Sequence, residues 1–282
     1  MTTEHGVYRE TATTAELPPL EDRYHAVMQR VADAARRIDR RAEDICVVAV
    51  TKTAGIDDIR RLIELGHRDF GENRVQQLEH RAAMIAETIE RQSRMPSLSK
   101  DGGCGGVRPE DIHWHMIGWL QRNKIKKAIT TARLIHSIAD LRLAEDLHLA
   151  AMKRDIDVDV LVQVNCSGEG QKNGCPLPAA KHLCESIDSM SHVHVRGLMT
   201  MAALDANQDV ARFAFERCRD AFDDIRKADI GDGRFNILSM GMTNDFETAI
   251  ECGANMVRIG SAIFGPPTHA DDHDDDEDDA SD

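Results

Sequence analysis

The sequence predicts an α/β fold, a single (β/α)8 barrel of the TIM type, preceded by one extra helix. Three observations predict it. Short apolar runs rich in β-branched residues alternate with stretches of helical periodicity, and the alternation repeats eight times, as parallel strands joined by crossover helices require. The chain has 282 residues, which suits a one-domain barrel of about 250 residues. No G-x-G-x-x-G follows the first strand, and a doubly wound open sheet usually has fewer strands.

Residues 1–19 are rich in Thr and Glu and end at Pro18-Pro19; a disordered leader is expected there. Tyr24, Val27, Met28, Val31, Ala34, Ala35 and Ile38 recur at helical spacing and predict a long amphipathic helix over 20–41. Strand one is expected over 45–52, from Val47-Val48-Ala49-Val50. Asp57 and Asp58 open its helix, which runs to Leu65 and is closed by Gly66. Strand two, 69–73, precedes a helix from Val75 to about Arg91. Strand three is 112–118 with a basic helix 121–131, strand four 134–138 with helix 141–154, and strand five 158–165 with helix 178–187. Strand six is 193–201 with helix 210–228. Strand seven is 235–241, its helix 245–251 closed by Gly253, and strand eight, 256–259, leads into Ala262-Ile263-Phe264. Residues 93–110, with Pro96, Gly102-Gly103-Cys104-Gly105-Gly106 and Pro109, break the rhythm and read as a flexible insertion. The barrel domain thus spans 20–266, and the acidic run 267–282 reads as a disordered tail.

At 41% hydrophobic the chain can bury a core, and at 4% aromatic that core must be aliphatic. The net charge is −14, but nine acidic residues lie within Asp271–Asp282, leaving −5 for the rest. That argues against nucleic acid as a partner. The one basic helix, with Arg122, Lys124, Lys126 and Lys127, reads as a solvated face or a second phosphate site. Seven cysteines without a C-x-x-C are expected as buried free thiols in a reducing cytoplasm. There is no run of 18 apolar residues and no signal-peptide core, so no membrane span and a cytoplasmic location are expected. His269 and His273 in the tail offer weak cation ligands, beside the plainer reading of a solubilising tail; no metal is assigned.

In such barrels chemistry sits at the C-terminal ends of the strands. The reading places there Lys52; Glu72 and Asn73; His115 and Gly118; Ser137; Asn165; Met199; Ser239, Met240 and Gly241; and Arg258, Gly260 and Ser261. Lys52 ends an apolar strand. Desolvation there lowers a lysine's pKa and makes it a nucleophile toward carbonyls; snorkelling to solvent is the other reading. Ser239-Met240-Gly241 and Gly260-Ser261 are small and polar, as phosphate cups after strands seven and eight are; Gly260 as a plain tight turn is the alternative. By alternation Arg258 shares Gly260's side. Inside an apolar strand it needs an anion, a ring nitrogen or a barrel carboxylate such as Glu72. Lysine, cup and arginine together point to pyridoxal 5′-phosphate, with Lys52 at the aldehyde and Arg258 at the pyridine nitrogen. An arginine cannot give up a proton to the ring, so the electron sink is weak.

These residues lie within longer matching stretches. They are Ala49-Val50-Thr51-Lys52-Thr53, Phe70-Gly71-Glu72-Asn73-Arg74-Val75-Gln76, Trp114 through Lys124, and Val164-Asn165 with Glu169, Lys172 and Gly174. Arg196-Gly197-Leu198-Met199-Thr200, Leu238 through Asp245, and Val257 through Gly265 complete the set. From about residue 21 to 266, in order, the chain resembles the pyridoxal phosphate homeostasis proteins, whose fold is that of the barrel domain of alanine racemase, the barrel of the type III pyridoxal phosphate enzymes. The resemblance implies a covalent aldimine of pyridoxal phosphate on Lys52, phosphate contacts from Ser239, Gly260 and Ser261, Arg258 at the pyridine nitrogen, and Asn73, Met199 and Met240 near the cofactor. It also implies buffering of the cofactor and delivery to apoenzymes, by a monomer or weak dimer, without established turnover. Two departures stand out. Ala54 replaces a second lysine common in the family, and Gly241-Met242-Thr243 replaces Gly-Met-Ser, keeping a hydroxyl.

A pyridoxal phosphate-dependent amino-acid racemase or lyase is the alternative. Racemisation needs a base on each face of the substrate Cα, and related racemases supply the second, a tyrosine, from a domain after the barrel. Here 17 residues follow Gly265, and the tyrosines, Tyr8 and Tyr24, precede the barrel. His115 and Cys166 remain as substitutes, with His115 read instead as a residue that orients a loop. The expectation is therefore a cofactor-binding protein with no catalytic residue.

Overall fold

The computed structural model describes residues 17–94, 106–167, 173–203 and 207–266. Eight parallel strands close into a barrel: β1 Cys46–Val50, β2 Asp69–Glu72, β3 His113–Met116, β4 Leu134–Ile138, β5 Val158–Asn165, β6 Val193–Met199, β7 Ile237–Ser239 and β8 Met256–Ile259. Each strand pairs with its successor, and β8 pairs back onto β1 with Val48 beside Arg258. A two-residue strand, Cys175–Pro176, adds to the end of β5. The helices are α1 Leu20–Arg36, α2 Ile56–Glu64, α3 Val75–Arg94, α4 Ile125–Thr131, α5 Leu141–Met152, α6 Ala180–Asp188, α7 Gln208–Lys227, α8 Phe246–Glu251 and α9 Ser261–Phe264. The (β/α)8 architecture with an added N-terminal helix is the one the sequence predicts.

The differences are at element ends. The first helix stops at Arg36 because Asp39 takes a left-handed conformation, φ 55°. β1 ends at Val50, so Lys52 lies in the turn beyond it. β7 keeps only three of its seven expected residues; Gly241, at φ 95°, bends the chain out of the sheet. α2 begins one residue early, at Ile56, because the Asp58 carboxylate accepts from Gly55 N at 3.0 Å and so satisfies the helix start.

α9 is a single turn, too short to cover the seam where β8 meets β1. α1 covers it, packing against α2, α8 and α9 through Tyr24, Val27, Val31, Ala34 and Ala35. Burying Val27 and Val31 contributes roughly 1.5–3 kcal/mol apiece. Arg23 Nε donates to Ile263 O at 2.7 Å, and Arg30 and Arg37 pair with Glu247 and Glu251 of α8. Those exposed pairs set register more than stability, at about 0–1 kcal/mol each.

Both faces of the strands are buried, which is why their sequences are apolar throughout. Outward residues such as Val47, Ala49 and Phe70 pack beneath the helices. Inward residues Val48, Leu134, Leu161, Met199 and Met256 fill the barrel. Gly197 allows β6 to approach β7: a Cβ there would sit 1.7 Å from Ile237 O.

Among the described residues no helix is long and apolar enough to cross a membrane, and no acid, histidine or cysteine cluster is suited to a metal. The six described cysteines are free thiols, all buried but Cys46. Burial pushes Cys46 up to about 12 and Cys175 up to about 11. Residues 1–16 of the expected leader, Cys104, Glu169, Lys172 and the tail with His269 and His273 lie outside the described residues. α3 runs to Arg94 and a 3-10 turn occupies Pro109–Asp111, so of the expected insertion 95–105 lie outside them too.

Candidate functional site

The C-terminal mouth of the barrel is built from the loops after β1, β2, β7 and β8. Lys52 is exposed there, so desolvation is not what distinguishes it. Its placement is. The backbone of its turn is clamped from below: Arg81 of α3 donates to the Thr51 carbonyl and, at 3.4 Å, to that of Lys52. Arg81 also pairs with Glu72, to which Thr51 Oγ1 donates as well. Glu72 is fully buried on the outer side of β2. It is therefore not the partner of Arg258, an alternative the sequence left open.

β1 and β8 lie in register, Val48 beside Arg258 and Ala49 beside Ile259. Gly260 follows against Val50: a Cβ there would lie 3.3 Å from Val50 Cβ. Lys52 thus emerges next to Gly260-Ser261. Ser261 opens α9, and its Oγ donates to Thr243 Oγ1 at 3.2 Å; Ala262 N reaches the same oxygen at 3.4 Å. Thr243 and Ser261 therefore form one hydroxyl pair at the rim. On the other side, Gly118 pins the loop after β2, since a Cβ there would lie 2.2 Å from Asn73 O. The Asn73 Oδ1 atom is buried with no hydrogen-bond partner.

Arg258 is 3% exposed and points into the barrel. Its Nη1 donates to Ser239 Oγ at 2.6 Å and its Nη2 to Thr200 O at 3.0 Å; Thr200 is held in turn by its hydroxyl on Val164 O, 2.8 Å away. Among the described residues Arg258 forms no ion pair. Burial draws its pKa down to about 10, against the opposing fields of Asp245 and Cys218, so it is a cation at neutral pH. Met199 belongs to the barrel filling with Val48, Leu161 and Met256.

Several expected site residues fall elsewhere. Met240 is fully buried in the layer between barrel and helices, so its side chain is turned out of the mouth; alternation from the inward Ser239 requires this. Ser137 is fully buried with its Oγ unpartnered, at the register irregularity of β4 between Ile135 and Ile138. Asn165 accepts from Ser167 Oγ at 3.1 Å. His115 orients no loop: it lies inside the barrel between His136, 3.0 Å away, and Asp69, 3.2 Å away. Ser239 faces inward, but its hydroxyl is engaged by Arg258 and His136. Sequence reading assigned no role to Asp69, Arg81, His136 and Thr200, and noted of Thr243 only that it keeps a hydroxyl. His136 alone carried a signal, a polar residue alternating with inward Leu134 on a strand otherwise apolar on that face.

Comparison with known proteins agrees with this geometry. Residues 27–267 match the family described as alanine racemase, N-terminal domain. The pyridoxal phosphate homeostasis protein of Aquifex aeolicus is 33% identical over 248 residues, covering 86% of this chain and 96% of that protein. A crystal structure of a protein from Bifidobacterium adolescentis, described as unknown, superposes with a TM-score of 0.77 at 34% identity, over 87% of this chain and 94% of that one. PipY of Synechococcus elongatus with pyridoxal phosphate bound superposes with a TM-score of 0.64 at 27% identity, over 85% of this chain and 100% of that one. The match runs over nearly the full length of each of these proteins, and the chain belongs to the alanine racemase N-terminal domain family, among the pyridoxal phosphate homeostasis proteins.

Proposed function

We propose that the chain binds pyridoxal 5′-phosphate in the barrel mouth, covalently through the Lys52 amine, and serves to hold and hand on this cofactor. The residues present fit that group. Arg258 is the observation that carries the reading: a buried guanidinium with no ion pair among the described residues costs several kcal/mol to desolvate unless acceptors meet it. The orphaned Asn73 Oδ1 and the paired hydroxyls of Ser261 and Thr243 are further polar groups available to an oxygen-rich anionic ligand.

When bound, the cofactor supplies an aldehyde for the lysine and an electron-withdrawing ring. Lys52 anchors; its place in an exposed turn with a clamped backbone suits reversible attachment. Arg258 orients the ring nitrogen and, having no proton to give, keeps the ring a poor electron sink. Ser261, Thr243 and the backbone at Gly260 hold the phosphate, and Ser239 acts from beneath by fixing Arg258. Met240 contributes through its backbone alone.

Carriage is favoured over catalysis by what surrounds the mouth. Tyr24 O–H is bonded to His67 Nδ1 at 3.3 Å, at the end of the barrel where Asp69 begins β2. His115 is tied between two partners, and Cys166 is fully buried. None of the three offers a free base to the mouth. Delivery to apoenzymes and the cytoplasmic setting belong to the same reading.

Absorbance near 420 nm after addition of pyridoxal phosphate, borohydride reduction and peptide mapping test it. The adduct is expected on Lys52 and lost in Lys52→Ala; an adduct on another lysine overturns the site. Conversion of L- to D-alanine well above the rate of free cofactor overturns the carrier assignment.

A further inference from the structure

Behind Arg258 the barrel interior is not apolar. A chain of buried polar side chains runs from strand to strand and crosses the lumen. Arg258 of β8 donates to Ser239 Oγ of β7 at 2.6 Å. Ser239 Oγ lies 3.2 Å from His136 Nδ1 of β4, which is not a neighbouring strand. His136 Nε2 lies 3.0 Å from His115 Nδ1 of β3, and His115 Nε2 lies 3.2 Å from Asp69 Oδ1 of β2. Ser239 and His136 are fully buried and His115 is 2% exposed. Asp69 lines a cavity of about 660 Å³ at the N-terminal end of the barrel.

The ends of this chain dictate its polarity. A guanidinium only donates, so Ser239 Oγ accepts from Arg258 and keeps one hydrogen to give. That hydrogen goes to His136 Nδ1, which makes His136 the tautomer protonated on Nε2. His136 then donates to His115 Nδ1, and His115 donates from Nε2 to the Asp69 carboxylate, which only accepts. With one proton on each imidazole, each of the four links has one donor and one acceptor only in this direction. Burial, with the fields of His115 and Arg258, lowers the pKa of His136 well below the ordinary histidine value. Every dipole in the chain turns its negative end toward Arg258. The carboxylate of Asp69 is thus linked to a guanidinium that has no ion pair of its own.

We infer that His136 is a positioning residue for Arg258: with its tautomer set by His115 and Asp69, it holds the Ser239 hydroxyl so that the oxygen faces the guanidinium. The inference rests on the proposed binding mode in that Arg258 is the group that meets the cofactor ring. A hydroxyl free to turn would present its hydrogen to the guanidinium in part of its rotation, and the arginine would lose one of its two internal acceptors. Cofactor affinity, which needs the guanidinium in one orientation, falls as a consequence.

Nitrogen-15 spectra of the histidine and arginine side chains in the cofactor-free protein test the chain directly. His136 and His115 are expected as Nε2–H tautomers, and the Arg258 Nη protons as separate, slowly rotating signals. A proton on His136 Nδ1 overturns the inference, whether or not any variant folds. His136→Leu removes the acceptor; His136→Asn keeps one near the Nδ1 position. The leucine variant is expected to merge the Arg258 Nη signals and to weaken pyridoxal phosphate binding by about tenfold or more, the effect of losing a hydrogen bond to a charged group. The asparagine variant is expected to recover most of both, and the Lys52 adduct still forms in each. Unchanged Arg258 signals and affinity in His136→Leu overturn the inference. Failure of the wild-type protein to bind pyridoxal phosphate at all overturns the proposed function instead and leaves the tautomer result standing as its own test.

Discussion

Replacing Arg81 by methionine strips the clamp under Lys52 while keeping most of the apolar stem. In the folded protein Arg81 pairs with Glu72, and its guanidinium also serves the carbonyls of Thr51 and Lys52. Glu72 is fully buried, and its second oxygen, Oε2, has no partner at all. Removing the arginine leaves a carboxylate in a dry site with only the Thr51 hydroxyl, and breaking such a buried pair costs about 3–5 kcal/mol. For a chain of this size that lowers Tm by on the order of 10 °C. Urea denaturation followed by circular dichroism measures the loss. The double variant Arg81→Met, Glu72→Met should recover most of it, because an apolar pair needs no desolvation. The turn carrying Lys52 loses two carbonyl anchors in both variants, so adduct formation with pyridoxal phosphate stays slower in the double variant even as stability returns. A loss below about 1 kcal/mol for Arg81→Met, typical of an exposed pair, would falsify the reasoning. So would equal losses in the single and double variants.

Other outcomes follow from the same structure. Gly118→Ala forces the Asn73 backbone away, since its Cβ would meet Asn73 O at 2.2 Å; the expected cost is about 1–3 kcal/mol with weaker cofactor binding, and titration at 420 nm should show both altered if Asn73 belongs to the site. Tyr24→Phe removes the donor to the buried His67 Nδ1; since His67 Nε2 already donates to Asp69 O at 2.8 Å, the ring cannot compensate by switching tautomer, and a loss of about 1 kcal/mol in urea midpoint terms is expected. His67 and His136 are both kept neutral chiefly by burial, which lowers their pKa. The unfolded chain takes up these protons near pH 6.5 and the folded one does not. Stability is therefore complete above that pH and falls by about 1.4 kcal/mol per unit for each histidine below it. Urea midpoints that stay level from pH 7.5 to 5 contradict this.

Much of the fold was legible because hydrophobic period is a local property. The spans of β4, β5 and β8 match their apolar runs residue for residue, since strands buried on both faces must be apolar along their length. Ends were less legible. The β7 run looked seven residues long, yet the strand keeps three, because apolar residues beyond a strand can be buried by packing alone. The mouth was legible at Lys52, Arg258 and Gly260-Ser261, where chemistry-bearing residues break an apolar pattern. It differs at Met240, where a position at the strand end was taken for a side chain facing in, whereas the side chain packs in the outer layer.

The sequence by itself determined the eight strand–helix units, their closure into a barrel, and the end of the barrel that carries the basic and hydroxyl groups. Only the tertiary structure decided which groups meet. Arg258 and Asp69 lie almost two hundred residues apart, and no spacing rule joins them. Closure of the barrel brings β2, β3, β4, β7 and β8 around one lumen, so that four hydrogen bonds connect them. It decided too that Glu72 answers Arg81 rather than Arg258, because alternation puts Glu72 on the outer face of β2, beneath α3. The physical reason is the same in each case. Periodicity is written along the chain, whereas the partner of a buried charge is whatever closure places within hydrogen-bond reach, and a buried charge must find one.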